Sequence, residues 1–130
     1  MASEEADFTD EFCRFLQEAV TTADAAELLL VLAREPGCAF SAAEAAAALG
    51  ARYAEPEALR HLEAFRACGL VIMQADGRLR YEPASDSLAA HTRTLEKVYR
   101  ERPVTLIRVI YGLRDSKIRS FAEAFRLGRG

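Results

Sequence analysis

The chain has 130 residues, a length that suits one domain with short appended helices. It is 51% hydrophobic and 28% charged, an ordinary globular composition with core enough to need no disulfide or metal staple. A net charge of −3 argues against a uniformly basic polyanion binder, and runs such as LLLVLA are far too short to cross a bilayer.

The opening MASEEADFTDEF is acidic and lacks the charged-then-apolar order of a secretory signal, so a cytoplasmic protein without membrane contact is expected. The charge is graded along the chain. Six acids stand against one base in residues 1–22, nine against six in 23–83, and five against ten in 84–130. A chain with a basic tail can still approach a polyanion. Cys13, Cys38 and Cys68 are an odd count without a C-x-x-C spacing, which points to reduced core thiols.

Periodicity predicts a first helix over Asp7–Val20, with Phe8, Phe12, Phe15, Leu16 and Ala19 on one apolar stripe. Thr22 can cap a second helix whose inward face is Leu28, Leu29 and Leu32, and which stops at EPGC. SAAE from Ser41 is a capping box with Glu44 at the reciprocal position; its helix runs through alanines to a left-handed stop at Gly50. Pro56 suits the first turn of a fourth helix with a buried seam of Leu59, Leu62 and Phe65, ended by Gly69.

LVIMQADGRLRYEP reads as a hairpin on a two-residue Asp76-Gly77 turn, with Leu79 and Tyr81 inward and Arg78 and Arg80 outward. A further helix is expected from Asp86 to about Arg102, with Leu88, Thr92, Leu95, Val98 and Tyr99 in a stripe. VTLIRVIYGL is rich in β-branched residues yet fits helical spacing. Pro103 can open a helix there and Gly112 close it, before a last helix capped by Asp115 or Ser116 with Ile118, Phe121, Ala122 and Phe125 on one face. The expected class is therefore mainly α with a small β-hairpin.

No G-x-S-x-G, Gly-rich phosphate loop or H-E-x-x-H occurs, and the two histidines lie thirty residues apart, so no enzyme and no cofactor is expected. His61 and Cys68 are seven apart on one predicted helix, but without further ligands beside them no metal site is expected.

SAAEAAAALG, then LRHLEAFRACGLV, then DGRLRYEP resembles the DNA-binding core of the ArsR and MarR regulators, in which a helix of the form HL..L...GLV precedes a wing with GR...Y. The tail IRSFAEAFRLGRG is similar to that of small bacterial winged-helix proteins of unassigned function. The resemblance implies a winged helix-turn-helix core over 23–83, flanked by an N-terminal amphipathic helix (1–22) and a C-terminal helical, basic region (84–130). It further implies a bacterial transcriptional regulator that binds duplex DNA as a homodimer.

Carried over by position, Arg52 and Tyr53 fall in the turn, Arg60 and His61 on the reading helix, and Arg78 and Arg80 on the wing. This sequence departs from the pattern at the start of the reading helix. There EPEAL stands in place of small hydroxyl residues, and Glu55, Glu57 and Glu63 bring negative charge toward phosphates. The alternative is a winged-helix adaptor that has left DNA and binds another protein. Phe8, Phe12, Phe15, Leu88, Leu95, Phe121 and Phe125 supply more apolar face than a three-helix core can cover, so they are expected at the homodimer interface.

Overall fold

The computed structural model of the chain describes residues 7–50 and 53–129, with side chains described through Ser116. The order is α1 (Asp10–Ala19), α2 (Ala23–Arg34), β1 (Ala39–Phe40), α3 (Ala42–Leu49), α4 (Glu55–Ala67), β2 (Val71–Met73), β3 (Leu79–Tyr81), α5 (Asp86–Glu101) and α6 (Pro103–Arg129). The molecule is thus mainly helical with one small antiparallel sheet. None of the described helices is long and apolar enough to cross a membrane.

Local chemistry sets most boundaries. The Thr9 hydroxyl accepts from the Phe12 amide at 3.1 Å, Thr22 from Ala25 at 3.0 Å, and Ser85 from Leu88 at 3.1 Å. Each takes up a donor that the first turn of a helix leaves unpaired. Thr9 starts α1 three residues after the position expected from periodicity. At Ser41 the capping box is complete: Glu44 N–H donates to the Ser41 hydroxyl at 3.1 Å, and Ser41 N–H donates to the Glu44 carboxylate at 2.9 Å. Gly50 closes α3 at φ 127° and ψ 164°, a positive-φ exit that favours glycine but lies outside the compact left-handed helical well.

α2 is the axis of the core. Leu28, Leu29, Leu30 and Leu32 are all at most 1% exposed, so the helix is covered on nearly every side. Burial of each such side chain contributes about 1.5–3 kcal/mol. A bidentate pair from Arg34 to Glu96, at 3.0 and 2.8 Å, fixes the far end of α2 to α5.

The sheet has the order β1-β3-β2. Val71, Ile72 and Met73 pair with Tyr81, Arg80 and Leu79, the hairpin read from the sequence. Its turn is longer than expected. Gln74 N–H donates to the Arg78 carbonyl at 2.7 Å and Gly77 N–H to the Gln74 carbonyl at 3.0 Å, leaving three residues in the loop with Gly77 at φ +88°. Asp76 has negative φ, so a two-residue turn with positive φ at both centres is excluded and the residues form a turn closed by a glycine bulge. β1 was not legible: Ala39 and Phe40 pair with Arg80 and Leu79, and two residues show no period.

Gly69, at φ +85°, ends α4 where any added Cβ would meet Ala84 Cβ at 3.3 Å, so the entry to α5 lies directly on the exit of α4. α6 runs unbroken through Gly112, replacing the two helices read from the sequence. An interior glycine costs only about 1 kcal/mol relative to alanine, and the burial of Leu106 and Ile110 on the same helix outweighs it.

The stripes expected at a dimer interface are largely consumed inside the chain. Phe12, Phe15 and Leu95 are 1%, 6% and 0% exposed, and the Phe15 ring lies 5.2 Å from the His91 imidazole of α5. Phe8 and Leu88 are half-buried against the same core. Asp7 pairs with Lys97 at 3.2 Å and with Arg102, and the Arg102 guanidinium stands 5.9 Å over the Phe8 ring, sealing this seam with charge. Phe12, Phe15 and Leu95 are core residues here and not an open face. The side chains of Phe121 and Phe125 lie outside those described.

Candidate nucleic-acid interface

α4 has no side-chain cap: Ala54 holds the capping position and Pro56 fills the first turn. Glu55 and Glu57 stand in that first turn, where the positive end of the helix dipole favours carboxylates. Two of the three glutamates that weigh against a polyanion therefore have a reason within the helix itself. The buried ridge is Ala58, Leu62 and Phe65, each 0% exposed. Leu59, expected in that ridge, is 42% exposed. α3 and α4 are the most extensively packed pair of elements, and alanines (Ala45 and Ala58) are fully buried on them. Ala58, Leu62 and Phe65 keep the i, i+4, i+7 spacing of one helix face, and Leu59 falls off that stripe on the side of the hairpin.

A groove lies on each side of this helix. The one toward the hairpin has a volume of about 520 Å³ and is bordered by Ser41, Leu59, Met73, Asp76 and Arg78. Met73 is 46% exposed, so the groove presents apolar surface between helix and hairpin. Its cation is occupied: Arg78 donates from Nε and Nη2 to the Glu44 carboxylate at 3.0 and 3.3 Å, with Asp76 at 3.8 Å. The Ser41 amide, helped by the Ser41 hydroxyl and Arg78, holds the Glu44 carboxyl below its ordinary range. Arg80, the second expected wing arginine, pairs with Glu82 at 2.8 Å. Both outward arginines of the hairpin thus carry carboxylate partners.

The other groove opens toward α6, with a volume of about 460 Å³ between Leu16, Arg60, His61, Ala64, Ile110 and Arg114. Arg60 and Arg114 are exposed and form no ion pair with any described residue. His61 is half-buried, not on the open face of the helix. Burial holds its imidazole below the ordinary range and Arg60 adds to this, while Asp24 and Glu57 pull the other way. The Tyr111 hydroxyl accepts from the Ala23 amide at 3.3 Å, which ties α6 to the start of α2 beside this groove. Arg114 was absent from the residues singled out in the sequence; only packing of α6 brings it opposite Arg60.

Tyr53 is half-buried against the core, and Arg52 lies outside the described residues. His61 and Cys68 open into different grooves, Cys68 beside Glu18 and His91. Burial pushes the Cys68 and Cys13 thiols up, away from reactive thiolate character. Cys38 is exposed, not a core thiol as expected, in the turn between α2 and β1. Among the described residues no three of His, Cys, Asp or Glu cluster as metal ligands.

No protein-family model matches this chain, and neither does a curated protein or a solved structure.

Proposed function

We propose that the protein is a transcriptional regulator that binds duplex DNA through a winged helix-turn-helix, as a homodimer in the cytoplasm. The observation that carries the reading is the run α2–β1–α3–α4–β2–β3, with β1 completing the hairpin sheet through β3. In that arrangement α4 is the helix offered to the major groove and the β2–β3 hairpin is the wing beside it. Arg60, without an ion pair among the described residues, and the exposed Arg66 of α4, with Arg114, supply attraction for phosphates that the paired wing arginines do not. Pairing of two copies is supported by Val104, Ile107 and Tyr111, a stripe on α6 that is 63%, 38% and 37% exposed.

Fluorescence anisotropy with a pooled genomic duplex at low salt tests the proposal, and the expected result is binding that falls steeply as salt rises. No binding at low salt, with none created by Glu57→Gln, overturns it. A second reading, a regulatory adaptor that binds a protein through the same face, is favoured by one observation: the apolar groove formed by Leu59 and Met73 beside a neutralised Arg78. Under that reading Leu59→Ser abolishes capture of the partner and, because it adds no charge to α4, leaves any DNA affinity nearly unchanged.

A further inference from the structure

The hairpin flank of α4 is apolar at its centre and acidic around it. Leu59 and Met73, 42% and 46% exposed, face one open groove of about 520 Å³. Glu55 and Glu63 stand one turn to either side of Leu59 on the exposed surface of the helix, and neither forms an ion pair with a described residue. Asp76 borders the groove from the hairpin turn, where it and Glu44 already offset Arg78. Glu44, Glu55, Glu63 and Asp76 thus stand against Arg78 and, nearly one turn beyond Glu63, the exposed Arg66. The flank is acidic in sum.

An apolar groove takes an amphipathic helix whose anchors recur at i, i+3, i+4 and i+7, and charge complementarity asks that helix to be basic. The chain carries such a segment at the end of α6. Ile118, Phe121, Ala122 and Phe125 have this spacing, Lys117, Arg119, Arg126 and Arg129 accompany them, and Glu123 is the single acid of residues 117–130. We infer that the hairpin groove of one copy holds the α6 end of a second copy. Within one chain α6 packs on α1 and α5 and runs unbroken for about 28 Å past Ile110, so a chain that seats its own end in its own groove must break this helix. The contact is heterologous, groove to end, and separate from pairing along Val104, Ile107 and Tyr111. It rests on the reading of this groove as a protein-binding face.

The probe is a fluorescently labelled peptide of residues 114–130, titrated with the full chain and followed by anisotropy. The expected result is saturable binding at one site per chain that weakens as salt rises. Leu59→Ser and Met73→Ser, both at exposed positions, each weaken it about tenfold, and Glu55→Lys with Glu63→Lys does so by a similar factor. A peptide bearing Phe121→Ser and Phe125→Ser keeps every charge and also binds about tenfold more weakly. Absence of saturation at about millimolar chain overturns the inference, as does a loss below about threefold on both Leu59→Ser and Met73→Ser. Should Leu59→Ser fail to fold, Met73→Ser decides alone. The underlying reading fails on a different result, capture of a partner protein that survives Leu59→Ser. A chain that loses such capture on Leu59→Ser yet never binds the peptide overturns the second copy as occupant and leaves the groove reading in place.

Discussion

The two sides of α4 start from similar sequence material and end with opposite electrostatics. On the hairpin side, Arg78 and Arg80 are held by Glu44 and Glu82, and the surface between helix and hairpin is apolar at Leu59 and Met73. On the α6 side, Arg60 and Arg114 are free of carboxylates among the described residues and rim a groove with a buried apolar floor. An arginine in an ion pair has its charge offset and one or two of its donors engaged, whereas an unpaired one keeps both for a ligand. Counting arginines along the chain gives the hairpin the stronger claim on phosphates. Counting their partners reverses the order.

The ridge that separates the two grooves gives the largest expected effect. Leu62→Ala removes a fully buried side chain and costs about 2–5 kcal/mol, a fall in Tm of roughly 6–20 °C by calorimetry. Both grooves lose definition together. A Tm change under a few degrees would mean that α4 is not anchored through this ridge.

The arginines come next. In the DNA reading, Arg60→Ala with Arg114→Ala flattens the salt dependence of binding by up to about two phosphate contacts, near 0.9 in slope for each. Arg78→Ala with Arg80→Ala, which the hairpin alone suggested would do the same, flattens it by less than one. Equal slopes for the two double variants would erase the contrast between the flanks. Glu44→Gln sharpens it from the other direction. Glutamine can keep the reciprocal cap on Ser41 while releasing Arg78, so the slope steepens by up to about one contact, measured by the same anisotropy titration.

A pH effect of smaller size belongs to the α6 side. Burial lowers the folded-state pKa of His61 beneath its ordinary value near 6.5, so the unfolded chain binds this proton more readily than the folded one. Its contribution to stability is complete above the ordinary value and is lost as pH falls toward and through the folded-state pKa. His61→Gln should therefore reduce the drop in Tm between about pH 7 and pH 5, because the position no longer titrates. An unchanged drop would place the imidazole in solvent. Leu59→Ala is expected to do least to the fold, within about 0.5 kcal/mol, since the residue is 42% exposed. A cost like that of Leu62→Ala would return Leu59 to the ridge.

What the sequence determined by itself is local. Thr22, the Ser41–Glu44 box, Pro56 and the Asp76-Gly77 pair act on neighbours within a few residues, so the helices, the hairpin and most of their ends follow from short-range chemistry. Resolving VTLIRVIYGL as helix followed from Pro103 in the same way, but its continuation through Gly112 did not, because burial of Leu106 and Ile110 outweighs one glycine.

Tertiary structure alone decided the rest. It put Ala58 in place of Leu59 beside Leu62 and Phe65 on the buried face of α4, and it absorbed Phe12, Phe15 and Leu95 into the core of the same chain. It also chose the partners of the arginines. Arg78 meets a carboxylate thirty-four residues away, and Arg60 shares a groove with Arg114 on another helix. Charge and periodicity along a chain say which side chains leave the core. Only the packing of distant elements says which of them meet, and a charge that has met its counterion presents a different surface from one that has not.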